Sequence, residues 1–197
     1  MKVETLLPLG KVEPGLRASA VPLDIHGVAD DARLVEGVRP HPVCTPHYIR
    51  EVMLPAVRKG ATKVGRDLTN FAVAIKPLIA TAPDAAELVA RVRDVRARVA
   101  FYASTPAYSA CFEAHGLGSL SRELQGLSKA QRWEEMPARI SDEVLNLYAT
   151  VGTYDEIVPK LRSRYAELVS NAEFSIPVRS PADAETLRQM VRDLRAE

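Results

Sequence analysis

Four histidines, two cysteines and a few cations near strand ends are the side chains of this 197-residue sequence whose types suit chemistry. His41 stands in an Arg-Pro-His-Pro turn, where an imidazole could donate, accept or transfer a proton to a cofactor or substrate near neutral pH. A structural histidine hydrogen-bonded in a proline-bounded turn is the reading favoured for the same residue, because no partner is visible beside it. Thr45 and Pro46 open a helix whose first N–H groups could hold a phosphate, or which Thr45 simply caps. Lys76 follows a strand on the face of Ala72 and Ala74, where its ammonium could meet an anionic ligand or extend into water. His47 reads as helix surface, His115 before Gly116 as a helix C-terminal residue favoured by the dipole, and His26 as part of an early turn. Trp133, Tyr102, Tyr108 and Phe112 could line a pocket, though aromatics at such positions more often pack between helices. No residue is assigned a catalytic role.

Several functional classes find no support. GxGxxG, Walker A, GxSxG and HExxH patterns are missing, so nucleotide-loop, serine-hydrolase and zinc-protease readings have no motif to stand on. Cys44 and Cys111 lack the paired spacing of a zinc site and read as buried thiols, so no metal is expected. A net charge of +1, from 26 basic and 25 acidic residues, gives no field for nucleic acid or an anionic membrane. Arg91, Arg93, Arg96 and Arg98 lie along one helix, but Asp94 interrupts them and aromatic interleaving is sparse, which fits a solvated face. The opening MKVETLLPLGKVEPG lacks the apolar core and cleavage site of a secretory signal, and no apolar run has the length of a membrane span. A soluble cytoplasmic protein with reduced thiols is the resulting expectation.

The elements that must position these residues alternate along the chain. Lys2 to Leu7 reads as a first strand, and Asp24 caps a helix carrying Ile25, Val28, Ala32 and Val35. The short VRPHPV segment follows Gly37. The helix from Pro46 presents Ile49, Val52, Met53, Ala56, Val57, Ala61 and Val64, with a kink at Pro55 and a cap at Gly65. Phe71 to Ile75 alternates as a strand, and Pro83 to Ala103 is a long helix with Leu88, Val92, Val95, Val99 and Tyr102 on one stripe. Shorter helical pieces follow. Ser141 opens the helical run DEVLNLYATVG, Thr153 and Glu156 form a capping box, Ala172 to Val178 reads as the last strand, and Ser180 with Pro181 caps a terminal helix. Strands alternating with helices predict an α/β fold with parallel pairing.

Three segments carry a specific resemblance: GVRPHPVCTPHYIREVMLPAVRKGA from Gly37, RVAFYASTPAYSACFEAHGLGSL from Arg98, and ISDEVLNLYATVGTYDEIVPKLRSRYAELV from Ile140. They resemble the C-terminal part of the luciferase-like oxidoreductases, in particular the branch that uses the deazaflavin coenzyme F-420. The first 36 residues resemble the first strand and helix of the same family. The resemblance implies an incomplete TIM-type (β/α)8 barrel in one domain spanning 1–197. Residues 1–36 would supply the first strand and helix, 37–178 the C-terminal barrel part, and 179–197 a terminal helix. Strands two to five would be missing at the junction of Glu36 and Gly37, leaving about four parallel strands where a closed barrel needs about eight.

Two strand orders compete for such a chain. Retained strands could keep their barrel neighbours, or the VRPHPV strand could lie directly beside the first; the short Glu36–Gly37 junction favours the second. The resemblance implies hydride transfer with deazaflavin coenzyme F-420, or monooxygenation with flavin mononucleotide (FMN), on a small organic substrate. His41, Thr45 and Lys76 are the positions expected to touch cofactor or substrate. The alternative is an inactive barrel fragment that pairs with itself or with an intact homologue through exposed barrel edges and apolar surface.

Overall fold

The computed structural model describes Lys2–Glu4, Ser19–Ala20 and residues 37–195. The helix expected from Asp24, and the first strand beyond Glu4, lie outside these residues. Seven strands are described: β1 (Lys2–Glu4), β2 (Ser19–Ala20), β3 (Gly37–Arg39), β4 (Ala72–Ile75), β5 (Leu78–Ala82), β6 (Ala149–Thr153) and β7 (Asn171–Glu173). The helices are α1 (Pro46–Tyr48), α2 (Leu54–Lys63), α3 (Ala85–Ala103), α4 (Ser109–Glu113), α5 (Gly118–Lys129), α6 (Asp142–Tyr148), α7 (Tyr154–Tyr165) and α8 (Pro181–Arg195). The chain forms two compact units: Met1–His41 with Ile49–Pro77 and Val158–Glu197, and Pro42–Tyr48 with Leu78–Ile157.

Unit one is built on a parallel sheet in the order β1-β7-β4-β3-β2. Val38 is the register partner of Val73, and Ile75 that of Ala172. Those four residues are buried, while Ala72, Ala74 and Asn171 at the alternate positions are half-exposed. The period-2 reading of Phe71 to Ile75 therefore holds, with β4 burying Val73 and Ile75. Gly37 is required by the close approach of β3 to β4, since a Cβ there would lie 2.6 Å from the Ala72 carbonyl oxygen.

This order corrects one expectation. β1 pairs with β7, so the first strand lies beside the last, and the VRPHPV strand β3 lies three places from β1 with β7 and β4 between them. The Glu36–Gly37 junction alone does not limit the connection between the first strand and β3. The 14 residues between Glu4 and Ser19 have the reach: crossing four strand spacings from β1 to β2 takes roughly 19 Å, and an extended chain covers about 3.3 Å per residue. β2, pairing with β3, was not anticipated.

The helix after β3 shows why Pro55 matters. Residues Ile49–Met53 form a π-helical turn between α1 and α2. Pro55 has no N–H for the carbonyl of Glu51 and its ring crowds that carbonyl, so the turn widens just before the proline. α2 ends at Gly65, whose φ of +65° is the left-handed cap conformation and whose N–H donates to the Thr62 carbonyl at 3.2 Å. α8 opens with a reciprocal cap: the Asp183 N–H donates to Ser180 Oγ at 3.2 Å, and the Ser180 N–H donates to the Asp183 carboxylate at 3.0 Å. Its Leu187, Met190, Val191 and Leu194 stripe is buried, and the helix lies against β1.

Unit two pairs β5 with β6 in parallel, in register from Leu78–Ala149 to Ala82–Thr153, and lays α3 against both. Neither strand was expected, and the run after Ser141 was expected to stay helical through Gly152. In fact α6 stops at Tyr148, where β-branched Thr150, Val151 and Thr153 take over. β5 hid because Ala80, Thr81 and Ala82 are all buried, which erases the alternation that marks a strand. Asp84 caps α3 by accepting from the Glu87 N–H at 2.9 Å, and Val95, Val99, Ala100 and Ala103 are its buried stripe. Thr153 donates its N–H to the Glu156 carboxylate at 3.0 Å, as the capping-box pattern predicts.

Candidate functional site

Two groupings of polar side chains stand out, one in each unit. In unit one the parallel sheet brings the C-terminal ends of β3, β4 and β7 to one edge, with a charged residue at or just beyond each end. Arg39 ends β3, Lys76 follows β4 and Glu173 ends β7. The Glu173 side chain is only 9% exposed and takes both the Arg39 guanidinium and, at 2.5 Å, Lys76 Nζ. Two cations on one carboxylate leave a net positive charge, and both cations remain open to water at 42% and 56% exposure. Ion pairs this exposed stabilise the fold by about 1 kcal/mol at most, so their consequence is placement of charge more than stability. His41 lies two residues beyond β3, and partial burial holds its imidazole below the ordinary range, which favours the neutral ring.

In unit two the segment 43–48 meets the end of α4. Thr45, 3% exposed, caps α1 by accepting from the Tyr48 N–H at 3.1 Å. Its Oγ1 also lies 2.7 Å from His115 Nε2. His115 reaches that place because α4 ends in a tight turn, with Gly116 at φ +72° and the His115 N–H on the Phe112 carbonyl. His47 packs its ring 5.1 Å from that of His115, and Tyr148 presents its ring to His115 at 5.7 Å, edge to face. Beneath them Phe112 stacks on Tyr148 at 4.4 Å, and the Tyr148 hydroxyl donates to the Cys111 carbonyl at 3.1 Å. Burial, and next the Cys111 thiol, push the Tyr148 phenol upward, so it stays a neutral donor. Cys44 and Cys111 meet in the same layer, sulfur to sulfur at 3.8 Å.

The three positions read from the sequence therefore divide. His41 and Lys76 belong to the sheet edge of unit one, and Thr45 belongs to unit two, where its hydroxyl serves as a cap and as the partner of His115. Sequence reasoning did not single out Arg39 or Glu173. The signal for Glu173 was available: in a strand, a carboxylate next to apolar Ala172 must point to the opposite face. The Thr45–His115 contact joins residues 70 apart in sequence, and nothing local announces it. Of the aromatics, Tyr102 and Tyr108 meet edge to face at 5.6 Å, while Trp133 is 48% exposed. Arg96 leaves the solvated arginine face to bind the Ile140 carbonyl and the Asp142 carboxylate. Among the described residues no group of three His, Cys, Asp or Glu could hold a metal ion.

Parallel strands with flanking helices, fewer than a closed barrel needs and with charges gathered at their C-terminal edge, define an incomplete TIM-type α/β barrel. The sequence profile of the luciferase-like monooxygenases matches residues 24–171, and the chain belongs to that family. Uncharacterised proteins of Mycobacterium bovis and Mycobacterium tuberculosis are 38% identical over 162 residues, which is 82% of this chain and 47% of theirs. The chain thus spans about half the length of these relatives. The fold is similar to that of a coenzyme F-420-dependent tetrahydromethanopterin reductase from Methanopyrus kandleri, with a TM-score of 0.63 at 16% identity. That likeness covers 90% of this chain and 48% of the reductase chain.

Proposed function

We propose that the chain is an oxidoreductase of the luciferase-like class that binds a phosphate-bearing deazaflavin of the coenzyme F-420 type, with FMN as the alternative, beside a small organic substrate. The observation that carries this reading is the open pair of cations, Arg39 and Lys76, held on nearly buried Glu173 at the C-terminal edge of the sheet. That edge is the working face of α/β barrels. The residues present fit such a group: the cations suit its phosphate, and the small side chains of half-exposed Ala72 and Ala74 lie on the same face. When bound, the cofactor supplies or accepts a hydride. The chain's own part is to hold the anion with Arg39 and Lys76, to keep both cations in place through Glu173, and to offer His41 as a neutral proton acceptor. Hydride chemistry on a carbon centre needs a proton partner, and a neutral imidazole suits that role near pH 7.

Titrating the folded chain with deazaflavin and separately with FMN, followed by absorbance and fluorescence, tests the reading. Saturable binding of either below about millimolar supports it, a weak threshold worth about 4 kcal/mol. Folded protein that binds neither ends it.

A second reading rests on the sheet itself. Among the described residues β1 and β2 are edges of an open parallel sheet, and open edges favour pairing with a second copy or an intact homologue. The half-exposed face of this sheet carries Arg39, Ala72, Ala74, Lys76, Asn171 and Glu173. Pairing through it would be polar and salt-sensitive. Light scattering at low and high salt tests this: mass above one chain, falling as salt rises, is expected, and a monomer at both contradicts it.

A further inference from the structure

Cys44 and Cys111 are both buried, at 6% and 0% exposure, and their sulfurs stand 3.8 Å apart although 67 residues separate them. Two thiols in a core need no such approach, because either would pack equally well against aliphatic neighbours. Their surroundings give the approach a consequence. Cys44 immediately precedes Thr45, and Cys111 lies one helical turn before His115. The sulfur contact and the Thr45–His115 hydrogen bond are therefore two rungs between the same two segments, 43–48 and α4 with its C-terminal turn.

We propose that Cys44 and Cys111 form a reversible oxidation site, closed to an intramolecular disulfide by hydroperoxides, that fixes the segment bearing Thr45 and His47 against the α4 turn bearing His115. The chemistry balances with hydrogen peroxide as oxidant. One thiol, deprotonated, attacks a peroxide oxygen, breaks the O–O bond and becomes a sulfenic acid as hydroxide leaves and takes up a proton to give water. The second thiol then attacks the sulfenic sulfur, forming the S–S bond and expelling a second water. In total the pair loses two electrons and two protons, and the peroxide is reduced to two waters. Bond formation requires the sulfurs to close from 3.8 Å to roughly 2 Å. The Cys111 thiol is held above its ordinary range, by the Cys44 thiol first and by burial second, so closure is slow at neutral pH and faster in alkali.

The test treats the folded chain with hydrogen peroxide, then counts free thiols after denaturation and measures intact mass. The expected product lacks both thiols, is about 2 Da lighter, yields a cross-linked 44–111 peptide on digestion, and reverts with dithiothreitol. Cys44→Ser should abolish the mass loss; if that variant does not fold, the peptide map of the oxidised wild-type chain decides alone. Amide exchange at Tyr48, whose N–H donates to Thr45, should slow in the oxidised form. Two thiols surviving peroxide, added oxygen atoms in place of lost hydrogens, cross-links between chains, or unchanged Tyr48 exchange would each overturn the proposal.

Discussion

Thr45 shows how one residue can answer two readings at once. Its hydroxyl accepts from the Tyr48 N–H and meets His115, so the side chain closes a helix end and ties it to a distant turn. Thr45→Val keeps the shape and removes both bonds; the expected loss is about 1–2 kcal/mol in chemical denaturation, and no change would show that the cap is redundant. The cap was legible, because Thr-Pro at a helix start is a local pattern, whereas His115 as its partner was not, because that contact depends on how two remote segments dock. His41 carries a pH prediction. In the unfolded chain it titrates near 6.5, and in the folded chain lower. Below about pH 6.5 the unfolded state binds a proton that the folded state resists, so stability falls as pH drops through that window. His41→Gln should flatten the acid side of the stability profile, and an unaltered slope would show that another group dominates it.

Among the elements, those with their own punctuation were readable and those buried on both faces were not. Ser180 at α8, Gly65 after α2 and Thr153 with Glu156 at α7 each mark an end by backbone chemistry that sequence displays. β4 was readable because one of its faces is open. β5 and β6 escaped because Ala80, Ala82, Ala149 and Thr150 are buried without alternation, and only their mutual pairing makes them strands. At β3 the fit is tight enough to predict a failure. Gly37→Ala drives a methyl to 2.6 Å from the Ala72 carbonyl oxygen, so β3 and β4 must part. Destabilisation of about 1–3 kcal/mol is expected from thermal or urea melts, and a wild-type midpoint would mean that the strands yield freely.

For the whole molecule the question is what half of a barrel can do. Family membership was legible from three motifs, because those segments keep their local pattern whatever else the chain has lost or gained. Strand order was not, because it depends on the reach of residues 5–36 and not on any motif. The expected internal gap at Glu36 and Gly37 remains a proposal about lineage; the sheet shows that β1 and β7 are paired as first and last strands of a barrel would be. The charged edge of the sheet is what gives the proposed function a site to test. The most direct measurement compares deazaflavin affinity of the wild-type chain with that of the Arg39→Ala/Lys76→Ala variant, both confirmed as folded by circular dichroism. Saturable binding by the wild type, weakened about tenfold or more in the variant, is the predicted result, since a charge-assisted phosphate contact contributes about 1.5–3 kcal/mol. Equal affinity in the two proteins, or no binding by either, would contradict the assignment of this edge as the cofactor site.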